Sequence, residues 1–287
     1  MTATNHDVRL TPARPDLAAM HLQGRIVAER YVTPERRTVA APIVPLRNNA
    51  DSVAIDTELL FGEEVDVLDT DGTTAWVQSV IDGYVGYVDA KALEDLPETT
   101  HAVCALGMVL HDTPALKTEC KTRLPFRARV AVTVQEAGYG AISLQEDGKQ
   151  LWAPMQCLQS LDKPPADWVA VAEKFLNVPY YWGGRSSLGI DCSGLVQLSL
   201  QATGHHCPRD SDMQQTELGR TLDPEETAER GDLIFWRGHV GIVAGPNLLL
   251  HANAHHMCVA TEPLDQAFDR IGRAEFGQIT RRARLDD

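Results

Sequence analysis

The sequence predicts a multidomain chain in which two small all-β barrels precede an α+β domain. Three observations carry this reading: a block that recurs at a fixed distance, alternating apolar residues inside each copy, and a proline-marked boundary followed by helical spacing and then strands. Thr57, Leu59, Phe61, Val65 and Val67 in TELLFGEEVDV match Thr122, Leu124, Phe126, Val130 and Val132 in TRLPFRARVAV, each 65 residues further on. Gly83, Tyr87 and Leu93 meet Gly148, Trp152 and Leu158 at the same offset. A shared offset over so many positions is the mark of a duplicated unit. At 287 residues the chain is long enough for two or three separate cores.

Taken in order, residues 1–37 form a leading segment, and PDLAAMHLQGRIVAERY over 15–31 has the spacing of a packing helix. In the copies, EVDVL and RVAVTV alternate apolar with polar residues, and Asp71-Gly72, Asp82-Gly83 and Asp147-Gly148 supply the turns between strands. The copies cover 38–97 and 101–161, and their length and closing GYVGYV run resemble bacterial SH3-like domains. Pro164 and Pro165 in SLDKPPADW then stop the last strand and open a linker. In 166–287, Trp168, Val171, Ala172, Phe175 and Leu176 recur at helical spacing. From Gly231 onward GDLIFW, HVGIVA and NLLLHA read as strands joined at Arg237-Gly238 and Gly245-Pro246-Asn247, so the last domain is α+β.

Composition bounds the function. A formal charge of −14 argues against nucleic acid and anionic polymers, whose partners carry the opposite sign. A small dissolved substrate fits better. The first 20 residues lack the apolar core of a signal peptide, and no run reaches the ~20 apolar residues of a membrane span. A cytoplasmic enzyme with no membrane partner is the expectation. Cys104, Cys120, Cys157, Cys192, Cys207 and Cys258 lack paired spacing, which points to free thiols.

One of those thiols stands apart. In YYWGGRSSLGIDCSGLVQLSL, Asp191 is a good N-cap and Cys192 the first helical residue, where unpaired N–H groups and the helix dipole favour thiolate. A nucleophile needs a base, and the base needs a partner to orient it. His239 opens HVGIVA and His251 closes NLLLHA, so neighbouring antiparallel strands bring two imidazoles together. His205, His206, Cys207, His251, His255 and His256 are metal-ligand types, yet HANAH lacks the glutamate of H-E-x-x-H and no C-x-x-C occurs. No metal or other cofactor is expected.

The run PYYWGGRSSLGIDCSGLVQ, then PRDSDMQ, GDLIFW, HVGIV and LLLHANA, resembles the NlpC-type, papain-like cell-wall peptidases over roughly 166–285. With two barrels in front, the domain order is similar to the γ-D-glutamyl-diamino-acid endopeptidases that trim peptidoglycan stem peptides. The resemblance implies Cys192 as nucleophile, His239 as base, His251 as the orienting third member and Tyr180 as a helper at the oxyanion. It also implies a peptide pocket that reads the free amine of an N-terminal L-Ala, formed by Glu63, Tyr84, Trp182, Asp191, Ser193 and Ser211, with Glu64 and Tyr87 as substitutes for the first two. At the repeat offset Glu63 becomes Ala128 and Tyr84 becomes Lys149, so only the first copy keeps the polar pair. The expected role is turnover or recycling of murein peptides. An amidase or acyltransferase on the same frame, and a non-catalytic peptide-binding protein, are the alternatives.

Overall fold

The structure is a computed structural model that describes residues 6–144 and 150–285, so Gly148 and Lys149 lie outside the described residues. It divides into two units, Met1–Asp162 and Lys163–Asp287.

In the first unit the duplication is visible strand by strand. Thr74–Ser79 pairs antiparallel with Val85–Asp89, Thr74 facing Asp89 and Val77 facing Gly86. Tyr139–Ser143 pairs with Gln150–Pro154 in the same register, Tyr139 facing Pro154 and Ile142 facing Leu151. Each second strand runs into a one-turn 3-10 helix, Ala90–Ala92 or Met155–Cys157, and then a short closing strand from Leu93 or Leu158. The first copy is a five-stranded antiparallel sheet plus the Ile43–Leu46/Thr57–Leu60 hairpin. The second distributes its strands between a three-stranded and a five-stranded sheet.

The two copies meet at the LLFGE turn. Phe61 joins the apolar core of the second copy beside Val103, Met108 and Ile142, and its carbonyl accepts the Arg129 N–H at 2.7 Å. Gly62 has φ +80° and a Cβ there would lie 2.0 Å from the Arg129 carbonyl oxygen, so only glycine fits.

The helix expected over 15–31 does not form. Leu17–Ala19 is a strand paired in parallel with Arg30–Val32, and between them lies a single 3-10 turn, Met20–Leu22. Leu17, Ala18 and Ala19 are buried one after another rather than every third or fourth residue. With Leu22 they pack on Leu68, Trp76 and Val85 of the first copy. Tertiary burial of a continuous run outweighs the helical spacing, and Gly24 at φ +81° ends the turn. The strand Glu35–Val39 belongs to the first copy's sheet, so that module begins before the expected boundary at 38.

The second unit has a buried central helix on an antiparallel sheet. Helix α1 (Trp168–Glu173) is N-capped by Asp167, whose Oδ1 accepts the Ala170 N–H at 2.9 Å. It ends earlier than its spacing suggested, Asn177 turning the chain at φ +69°. Helix α2 (Cys192–Ala202) is buried at every position. Helices α3 (Ser211–Glu217) and α4 (Leu264–Ala274) follow. The sheet has six strands in the order Arg220–Thr221, Arg281–Arg284, Leu233–Trp236, His239–Gly245, Leu248–Asn253 and Cys258–Pro263. Among the described residues, no helix is long and apolar enough to cross a membrane.

Candidate active site

The site is built where the N-terminus of α2 meets the first residues of the His239 strand. Asp191 caps α2, its Oδ1 accepting the Gly194 N–H at 2.7 Å, which places Cys192 in the first helical position. The N–H groups of Val240 and Ser193 donate to the Cys192 sulfur. Val240 is the residue after His239, so the strand that carries the imidazole also touches the thiol.

The histidines are placed by sheet register. Arg237 and Gly238, the latter at φ +83°, form the two-residue turn that pairs Trp236 with His239. Ile242 faces Leu250 on the next strand, and continuing that register makes His239 and His251 a diagonal pair on one face. His239 Nε2 and His251 Nδ1 are 2.8 Å apart. Phe276 stacks on the His239 ring with centroids 5.1 Å apart, fixing its plane.

The chain of polar groups continues beyond the residues the sequence suggested. His251 faces Ala260, so Glu262 lies diagonal to it on the same face, over a side chain small enough to leave room. Its Oε1 is 2.8 Å from His251 Nε2. Arg270 of α4 clamps that carboxylate, Nη2 on Oε1 and Nε on Oε2. Glu262 and Arg270 escaped sequence reasoning because a glutamate in CVATEP and an arginine on an amphipathic helix look like solvated surface. The signal was present in the strand pairing, two residues past the position that faces His251.

Burial governs the protonation states. It pushes the Cys192 thiol up, with help from the Asp191 charge and against the Val240 N–H and Arg209, to about 12. It pushes His239 down to about 3, with His251 and Arg270 adding to the effect. His251 is lowered too, burial outweighing the Glu262 hydrogen bond. Burial would raise Glu262, but the His251 and Arg270 bonds prevail and hold it at about 2. Burial thus opposes the stabilisation of a Cys192 thiolate by the helix terminus and favours the neutral forms of the thiol and of both imidazoles. His251 and Glu262 accordingly form a charge-assisted hydrogen bond rather than an ion pair. Alkylation of Cys192 by iodoacetamide should rise about tenfold per pH unit from pH 6 through pH 9, following the growing thiolate fraction. A rate already flat across neutrality would indicate a preformed thiolate and imidazolium.

Asp191 and Ser193 sit in a buried hydrogen-bonded cluster. Arg209, 1% exposed, donates to Asp191 Oδ1 at 3.0 Å and Oδ2 at 2.7 Å and to Ser193 Oγ at 2.9 Å. Gly183 N–H and the Ser193 hydroxyl fill the remaining acceptor positions of the carboxylate. Its charge is balanced by Arg209 and both oxygens accept protein hydrogen bonds. Both residues anchor the start of α2. Gln214 of α3 completes the anchor by donating to the Ser193 and Pro208 carbonyls, each at 2.9 Å. Arg209 stands in the quoted PRDSDMQ run, but its partner is visible only in three dimensions.

Tyr180 is half-buried, with the Met257 carbonyl accepting its N–H at 2.9 Å. Burial and the nearby Cys192 and Asp191 push its phenol up, so it stays a hydroxyl donor. Trp182 is 70% exposed, and Ser211 opens α3, half-buried. Glu63 and Tyr84 belong to the first unit and are buried there. Glu63 Oε2 accepts the Leu60 N–H at 3.0 Å, a bond inside its own turn, and the assignment of both residues to substrate rests on the family resemblance. Among the described residues, His251, His256 and Glu262 converge with ligand-type atoms within 4.8 Å. His251 and Glu262 already share a proton and Arg270 caps the carboxylate, which suits a proton relay better than a cation.

Comparison with known proteins gives the class. Residues 177–270 match the NlpC/P60 family, and residues 46–93 match the bacterial dipeptidyl-peptidase Sh3 domain. The second unit thus carries an NlpC/P60 domain and the first a bacterial SH3 domain. A crystal structure of an NlpC/P60 family protein from Bacillus cereus ATCC 10987 has the same fold, with a TM-score of 0.75 and 20% identity over 88% of this chain and 99% of that one. More particularly, the chain is similar to two proteins named gamma-D-glutamyl-L-lysine dipeptidyl-peptidase. The Bacillus cereus protein is 26% identical over 247 residues, 74% of this chain and 71% of the relative. The Bacillus subtilis protein is 28% identical over 221 residues, 69% of this chain and 72% of the relative.

Proposed function

We propose that the chain is a cysteine peptidase that hydrolyses the bond between γ-D-glutamate and the following diamino acid in peptidoglycan stem peptides with a free N-terminal L-Ala. The observation that carries the proposal is the hydrogen-bonded series Glu262, His251, His239, on a strand whose next residue, Val240, bonds the thiol at the α2 N-terminus. In this reading His239 takes the thiol proton as the sulfur attacks the γ-glutamyl carbonyl. The Cys192 N–H and the Tyr180 hydroxyl hold the oxyanion. The imidazolium then protonates the departing amine, and water, deprotonated by the same ring, releases the acyl group. Burial raises the thiol and lowers the imidazole, which favours moving the proton during attack rather than before it. The second copy in the first unit is a further SH3-like domain in this account, supported by its shared strand register.

The relatives' name describes release of a dipeptide, which supports recognition of a free amino end. The test compares L-Ala-γ-D-Glu-L-lysine and its diaminopimelate counterpart with their N-acetylated forms. The free peptides should yield L-Ala-γ-D-Glu and the diamino acid. The acetylated ones should be cut at least about tenfold more slowly, since losing one paired charge costs roughly 1–3 kcal/mol. Equal rates would remove the free-amine requirement.

A further inference from the structure

We propose that Glu262, held by Arg270, is a positioning residue that sets the direction of the histidine pair and so leaves His239 Nδ1, the nitrogen not bonded to His251, free to accept a proton; this rests on the cysteine peptidase reading above. Two neutral imidazoles joined at 2.8 Å can be arranged in two ways, because either ring can be the donor. Nothing in the pair itself chooses between them. A carboxylate is acceptor-only, so its contact with His251 Nε2 requires the hydrogen on that nitrogen. His251 Nδ1 then carries the lone pair and accepts from His239 Nε2–H. His239 Nδ1 is left with its lone pair, the form a general base needs. In the opposite arrangement that nitrogen carries a hydrogen and cannot take the thiol proton.

Arg270 matters because it fixes what a substitute at position 262 must do. Its Nη2–H donates to Oε1, the same oxygen that meets His251 Nε2, while its Nε–H reaches Oε2 at 3.3 Å. An amide placed there therefore keeps its oxygen at the Oε1 position, where it accepts from both neighbours. Glu262→Gln should preserve the arrangement of both rings. Glu262→Ala removes the acceptor and leaves both arrangements populated. A purely structural role predicts unchanged tautomers in a folded Glu262→Ala chain; the positioning role predicts that they become mixed.

The experiment measures kcat, KM and histidine tautomers in wild type, Glu262→Gln, Glu262→Ala and Glu262→Asp. Two-bond 1H–15N spectra report which ring nitrogen of His239 and His251 carries hydrogen, and circular dichroism confirms folding. For Glu262→Ala the kcat should fall about tenfold with KM nearly unchanged, as part of the population loses its correctly placed general base. Glu262→Gln and Glu262→Asp should recover much of the activity with wild-type tautomers, and the Ala spectrum should show the tautomers mixed. A folded Glu262→Ala enzyme with unchanged tautomers, or a Glu262→Gln enzyme with inverted ones, overturns the proposal. The spectra need no substrate, so a failure of the peptidase reading would appear as an inactive wild type whose tautomers still respond to position 262.

Discussion

Replacing His239 by alanine should lower kcat by about 10³-fold or more while KM changes little, because the ring acts on the proton that moves in the transition state. Burial opposes ionising either group, pushing the Cys192 thiol up to about 12 and the His239 imidazole down to about 3. Without the ring the thiol keeps its proton at neutral pH and attack stalls. Residual activity in His239→Ala should rise with pH toward the thiol's own titration, as hydroxide substitutes for the missing base. Combining Cys192→Ala with His239→Ala should cost little more than Cys192→Ala alone, because the two act as a unit. Additive losses would mean that the residues serve separate steps. Stopped-flow release of the diamino acid, scored against active-site concentration, reads all of these.

Arg209→Met should be the most destabilising single change in the second unit. The guanidinium is 1% exposed and makes three hydrogen bonds to Asp191 and Ser193. Removing it leaves the Asp191 carboxylate buried without its counter-charge, a loss of about 3–5 kcal/mol. For a unit of this size the melting temperature should fall on the order of 10 °C. Asp191→Asn combined with Arg209→Met should recover a large part of that loss, because the uncompensated charge is gone. Calorimetry that resolves the two units' transitions tests this, and a shift of less than about 2 °C in Arg209→Met would contradict it.

The architecture was readable wherever a local rule decided the outcome. The repeat offset survives as shared strand register, and the Arg237-Gly238 turn forms the hairpin that presents His239. Asp191 caps α2 as its type and position implied. What the sequence hid was set by partners far along the chain. Leu17–Ala19 looks helical until Trp76 and Leu68 are present to bury it as a strand. The strand Arg281–Arg284 is too charged to read as a strand, yet it pairs with Leu233–Phe235 inside the main sheet, its arginines finding polar partners, as Arg284 does in the buried Asp232. Asp191 beside the thiol is also tied to the buried Arg209, a partner 18 residues further along the chain. The ionisation of Cys192 likewise depends on burial, which a helix-terminus argument leaves out.

The most direct measurement is mass spectrometry of a stem tripeptide incubated with the wild-type chain and with Cys192→Ala, including a brief acid quench to trap protein-bound intermediate. The account predicts L-Ala-γ-D-Glu as product and a wild-type chain transiently heavier by that acyl group on the Cys192 peptide, with neither seen for the variant. Product formation by a folded Cys192→Ala chain, or an acyl group carried on another residue, would contradict it.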